Sequence, residues 1–124
     1  MAKEWCVQGL SLKFTIAGTP VTGGTVTISS TPSETVKVGG KGVYAGTFNV
    51  TLAGCTYGSY TQTAPAVFAI SCGAKYSKAD NKSIMLKEDN GEAKKVAFVM
   101  GQTSTTFDIK CEVSDPGQTY VKEL

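Results

Sequence analysis

The stretch Lys37-Val38-Gly39-Gly40-Lys41-Gly42-Val43-Tyr44 lies without gaps on Lys78-Ala79-Asp80-Asn81-Lys82-Ser83-Ile84-Met85. Both lysine positions coincide, a two-residue turn coincides, and apolar residues coincide after it. Gly39-Gly40 and Asp80-Asn81 are pairs that tolerate positive φ, as the centre of a tight hairpin requires. The match predicts two like β-hairpins and hints at pseudo-symmetry; no third copy stands out in the sequence.

Outward from these hairpins the chain alternates with a period of two. Leu10, Leu12, Phe14 and Ile16 form one set, Val26 and Ile28 another, then Val36 and Val38, and then Phe48, Val50 and Leu52. Phe68, Ile70 and Cys72 follow, then Ile84 and Leu86, Val96, Phe98 and Met100, and finally Phe107, Ile109, Cys111 and Val113. This spacing puts each set on one face of a strand. Fourteen glycines and many Thr and Ser residues punctuate the runs, so the expectation is an all-β fold of eight or nine strands, a small barrel or sandwich. No stretch carries the 3.6-residue period. Lys87 to Lys95 comes nearest, and Asp89-Asn90-Gly91 reads as a turn that breaks it. Thr61 to Ala66 reads as a loop. The 124 residues suffice for one domain, expected to span 1–124.

Composition excludes much. All twelve basic side chains are Lys, against ten acidic ones, and there is no His or Arg. Without His, the usual general base and zinc ligand are missing. Without Arg there is no bidentate fork for guanine or phosphate, and a net charge of +2 is too small for a polyanion binder, so no nucleic-acid partner is expected. Asp80-Asn81-Lys82 fails the spacing of a calcium loop, and the glycine-rich stretches lack the phosphate-cradle pattern. A cysteine nucleophile would have no His beside it. One Trp and scattered Tyr give no stacking platform for sugars. The residues therefore point away from an enzyme. The N-terminus carries no signal-peptide pattern, and Val96 to Met100 is far too short to span a membrane, so a chain made in a cytoplasm is expected.

The cysteines are Cys6, Cys55, Cys72 and Cys111, with no CxxC pair. Three readings stand: four small buried side chains, three or four thiolates converging on one metal ion, or disulfides. Cys72 and Cys111 fall in phase with buried faces, which suits core packing and an inward-facing ligand pair equally.

Several pieces together resemble the PAAR-like proteins. Trp5-Cys6-Val7-Gln8-Gly9-Leu10-Ser11-Leu12-Lys13-Phe14 is similar to their opening, where a Val-Gln-Gly turn leads into a strand. Val36 to Tyr44 and the stretch Lys78 to Asp89 resemble the hairpins of phage-type members. Phe107 to Thr119 resembles their closing strand and Pro-Gly-Gln turn. The resemblance implies a small conical all-β domain built of short hairpins, with a β-sandwich as the alternative fold. It implies a structural, non-enzymatic role. One copy would cap the trimeric β-helical spike of a phage tail or a contractile, type VI secretion-like injection machine, and would touch a target membrane transiently during puncture. It also implies a metal ion near the apex, which the family holds with His and Cys. This chain has no His and no Pro-Ala-Ala-Arg string, so either Cys55, Cys72, Cys111 and Cys6 hold one zinc or iron ion alone, or packing closes the apex. The rival reading is an immunoglobulin-like or jelly-roll module that decorates a virion or cell surface, for which paired cysteines are expected.

Overall fold

Six strands make the body of the molecule: β2 (Ser11–Ile16), β4 (Thr25–Ile28), β7 (Thr47–Ala53), β10 (Ala66–Ser71), β13 (Asn90–Met100) and β14 (Thr103–Asp115). These come from a computed structural model that describes residues 3–87 and 89–123. β7 lies between β10 and β4 in a three-stranded antiparallel sheet. Three short strands, β3 (Thr19–Pro20), β8 (Thr56–Tyr57) and β9 (Tyr60–Gln62), complete a six-stranded sheet ordered β3-β2-β14-β13-β9-β8. No described residue is helical, and no helix is long and apolar enough to cross a membrane. The fold is all-β, as the period of two requires.

The body's core follows from strand alternation. Phe48, Val50 and Leu52 of β7 are buried while Thr47 and Asn49 are exposed, and β10 alternates the same way. Register sets Phe48 opposite Ile70 and Val50 opposite Phe68, so these side chains share one face. That face packs on β13 and β14, which supply Phe98, Ile109 and Cys111, and Phe14 meets Phe68 at 5.3 Å between ring centroids. Each fully buried Phe or Leu contributes about 1.5–3 kcal/mol of transfer free energy. Gln62, also buried, ties β9 to β7: its side-chain amide donates to the Leu52 and Ala64 carbonyls and accepts from the Cys55 N–H.

Val26 and Ile28 share one face of β4, as expected, opposite Leu52 and Val50, and are 45% and 37% exposed. Two expectations are corrected, the turn at Asp89-Asn90-Gly91 and the loop at Thr61 to Ala66: Thr61 and Gln62 belong to β9, paired with Val99 and Phe98, and Ala66 opens β10. Asn90 and Gly91 belong to β13, paired with Glu112 and Cys111. The turn lies just before them, where the Asp89 N–H donates to the Leu86 carbonyl and the Asp89 carboxylate accepts from the Leu86 and Gly73 N–H groups.

The remaining six strands pair into three two-residue ladders: β1 (Lys3–Glu4) with β15 (Lys122–Glu123), β5 (Lys37–Val38) with β6 (Lys41–Gly42), and β11 (Lys78–Ala79) with β12 (Lys82–Ser83). The last two are the hairpins expected from the sequence. Their turns have positive φ at all four positions: Gly39 at 60°, Gly40 at 83°, Asp80 at 53° and Asn81 at 65°.

Candidate functional site: a pseudo-threefold ring

Each ladder is followed by a triplet: Trp5-Cys6-Val7 after β1, Val43-Tyr44-Ala45 after β6, and Ile84-Met85-Leu86 after β12. The triplets close a triangle through three antiparallel bridges, Val7 with Val43, Ala45 with Ile84, and Leu86 with Trp5. In every case the third residue of one triplet meets the first residue of the next.

The hydrogen bonds repeat threefold. At the centre, the Tyr44 N–H donates to the Cys6 carbonyl (3.1 Å), Met85 N–H to Tyr44 (2.8 Å), and Cys6 N–H to Met85 (2.8 Å). These three bonds form a closed cycle. A second set ties each triplet to its own ladder: Trp5 N–H to the Val121 carbonyl, Val43 to Val36, and Ile84 to Ser77, at 3.0–3.1 Å. A third set joins neighbouring arms: Gln8 N–H to Gly42, Gly46 to Ser83, and Lys87 to Glu4, at 2.8–2.9 Å.

Side chains obey the same rule. The middle residues Cys6, Tyr44 and Met85 point into the body's core. The flanking residues Val7, Val43, Ile84 and Leu86, with Trp5 and Ala45 beside them, form a separate small core with Ala74, Ala79, Val36 and Val38. Alternation along an extended segment thus makes the ring a partition between two cores. Sequence reading found two of the three arms. The third is built from strands that lie 119 positions apart, Lys3 pairing with Glu123 and Glu4 with Lys122, so no contiguous motif records it. One signal could have found it: Val121-Lys122 corresponds to Val36-Lys37 and Ser77-Lys78 before the other triplets.

Turns leading into the ladders are pinned by side-chain oxygens. Ser33 Oγ accepts from the Thr35 and Val36 N–H groups, and Gln118 Oε1 accepts from those of Tyr120 and Val121. Ala74, at the same place in the third turn, has no such oxygen. There Glu123 Oε1 reaches over from the neighbouring arm and accepts from the Lys75 and Tyr76 N–H groups at 3.0 and 2.7 Å.

The four cysteines are free thiols. Cys6 sits in the ring. Cys72 follows β10, half-buried. Cys55 lies in the turn after β7 against Gln62, and Cys111 lies on β14 opposite Phe14 and Gly91. Among the described residues, no three Cys, Asp, Glu or His side chains group as metal ligands. Burial, helped by Asp89, pushes the Cys72 thiol up to about 12; burial, helped by Glu112, does the same for Cys111. Burial also raises Cys6 and Cys55. A metal site needs ligands that converge, and among the described residues these cysteines are not brought together in a group of three. Tyr57, Tyr60 and Phe98 meet Phe107 edge-on, at interplanar angles of 69–76°, so their rings make no flat stacking platform.

Compared with known proteins, the chain matches no family model, no curated protein and no solved structure.

Proposed function

We propose that this chain is a tip protein that caps a trimeric β-helical spike, of the kind carried by phage tails and contractile injection machines, and docks through the pseudo-threefold ring. The observation that carries this reading is the closed cycle of three equivalent arms within one chain. A single polypeptide that must meet three identical chains gains most when it offers each of them a near-equal surface. The ring supplies three such surfaces from unlike sequences.

The means of contact follows from the ladders. Among the described residues each ladder has only two strands, so β5, β11 and β15 each have one edge without a strand partner. Such edges accept an added strand through main-chain hydrogen bonds, and one strand from each spike chain would use all three. Exposed Lys37, Lys78 and Lys122 occupy the same position on these edges. In this role the protein performs no chemical turnover, and the body's interlocked strands carry load.

The test is co-purification with a trimeric β-helical spike from the same genome. One tip per three spike chains is the expected ratio, with charge reversal at Lys37, Lys78 and Lys122 weakening capture stepwise. A stable homotrimer of this chain alone, with no spike capture, would defeat the proposal.

A further inference from the structure

The three gaps between neighbouring arms are not alike, and their difference assigns a ligand chemistry. In the gap between β11–β12 and the turn at residues 31–35, Asp80 acts as a latch. Its carboxylate accepts from Ser33 Oγ (3.1 Å) and Thr35 Oγ1 (3.0 Å). In the gap between β15 and the turn at residues 74–77, the Glu123 carboxylate accepts from the two backbone N–H groups already described. Both gaps are thus bridged by an acid from the adjacent arm.

Among the described residues, the third gap, between β5–β6 and the turn at residues 115–120, has no acid in the bridging place. Gly39 stands where Asp80 stands in the first gap, and Val38 where Glu123 stands in the second. Lys41, the counterpart of Lys82 beside Asp80, still lines the wall. The open gap measures about 550 Å³, against about 300 Å³ for the gap that Asp80 bridges. Gly9, Gly39 and Gly117 line it, so a visiting chain can approach closely. Asp115 also lines it, and one of its oxygens already accepts from the Gly117 N–H.

We infer that this gap receives an acidic side chain from the partner, an Asp or Glu of one spike chain, which completes the third latch against Lys41 and the turn at Thr119. The source of that carboxylate rests on the proposed function; the chemistry of the gap rests on the two filled ones. One chain of the trimer would then differ from the other two, and the cap would settle in one of three rotational settings.

The probe is N-acetyl-glutamate N-methylamide, titrated into ¹⁵N-labelled protein beside its glutamine counterpart. The expected result is saturable amide shifts at Gly39, Lys41, Gly117 and Thr119, with the glutamate probe binding about tenfold more tightly than the glutamine one. Gly39→Asp should abolish binding. Asp is tolerated there because Asp80 already adopts the same backbone conformation and a Cβ at Gly39 meets nothing within 4 Å. Asp80→Gly should create a second site with shifts at Ser33 and Thr35. Equal binding of the two probes, or unchanged binding by Gly39→Asp, would overturn the inference. Spike capture at one per three without probe binding would keep the docking role and remove the acid site. Probe binding without spike capture would keep the site and remove its assigned source.

Discussion

The body and the ring module solve the same problem with different forces. The body buries large side chains: Phe48, Phe68, Phe98, Leu52, Ile70 and Ile109 are all at 1% exposure or less. The ring module's own core holds Val7, Val43, Ala74, Ala79, Ile84 and Leu86, with no fully buried aromatic ring among them. Its ladders are two residues long, too short to be stable alone. What holds it is the cycle of main-chain bonds, each satisfied by the next arm. A module with little apolar volume stays ordered because its backbone polar groups have nowhere better to go.

This contrast can be broken in several places. Phe98→Ala empties the centre of the body and should cost about 3–5 kcal/mol in urea unfolding, the largest effect expected of a single change. A loss well under that would mean the body is not the main store of stability. Gly42→Ala tests the ring module by crowding rather than by loss. A Cβ there would collide with the Ser33 carbonyl and the Pro32 ring. The expected cost is about 1–3 kcal/mol, with faster amide exchange at Gln8 and Val43; a neutral result would show that the arms give way easily.

Alkaline titration tests the body through its thiols. The raised folded-state values of Cys72 and Cys111, about 12 against 9.0, mean that the folded chain holds protons the unfolded chain gives up. The stabilisation is fully present below pH 9 and is lost as pH rises toward 12. Thermal unfolding followed from neutral pH to about pH 10.5 should show the midpoint falling, and Cys111→Ala should flatten that fall. A midpoint that holds steady would mean the thiols are accessible to water.

Smaller effects probe the latches. Asp80→Gly should cost about 1 kcal/mol, because it removes two hydrogen bonds to a carboxylate while relieving a positive φ. Amide exchange at Thr35 and Val36 should quicken while the body's amides stay protected. The least effect is expected from moving the chain ends. Lys3 and Glu123 are paired, so a short linker can join β15 to β1 while the chain is opened between Asp80 and Asn81. If the three arms are equivalent, this permutant keeps the native spectrum; a permutant that fails to fold would show that the arm made from β1 and β15 has a different standing.

Most of the body was legible in the sequence. Alternation in β7 and β10 named the buried residues because the face those residues share is packed against the core residues of β13 and β14. At Val26 and Ile28 the pattern gave the shared face and no more, since alternation does not report whether anything covers that face. Asp89-Asn90-Gly91 misled for a related reason: turn-forming residues permit a bend, and pairing with Glu112 and Cys111 drew two of them into a strand. The phase of Cys72 and Cys111 correctly marked inward-facing positions, yet phase carries no distance, and the four cysteines form no cluster of three among the described residues.

The amino-acid order alone determined what is local: the period of two, the two-residue turns at Gly39-Gly40 and Asp80-Asn81, and the lack of a helical period, all of which depend on neighbours a few positions apart. Only the tertiary structure decided that there are three arms and not two, that they close into a ring, and that among the described residues no acid bridges one of the three gaps. Each bond of the central ring joins residues from different arms, Cys6, Tyr44 and Met85, that are far apart in the chain. The third ladder pairs the first described strand with the last. No window of sequence contains that information, because it exists only once the chain has brought its distant parts together.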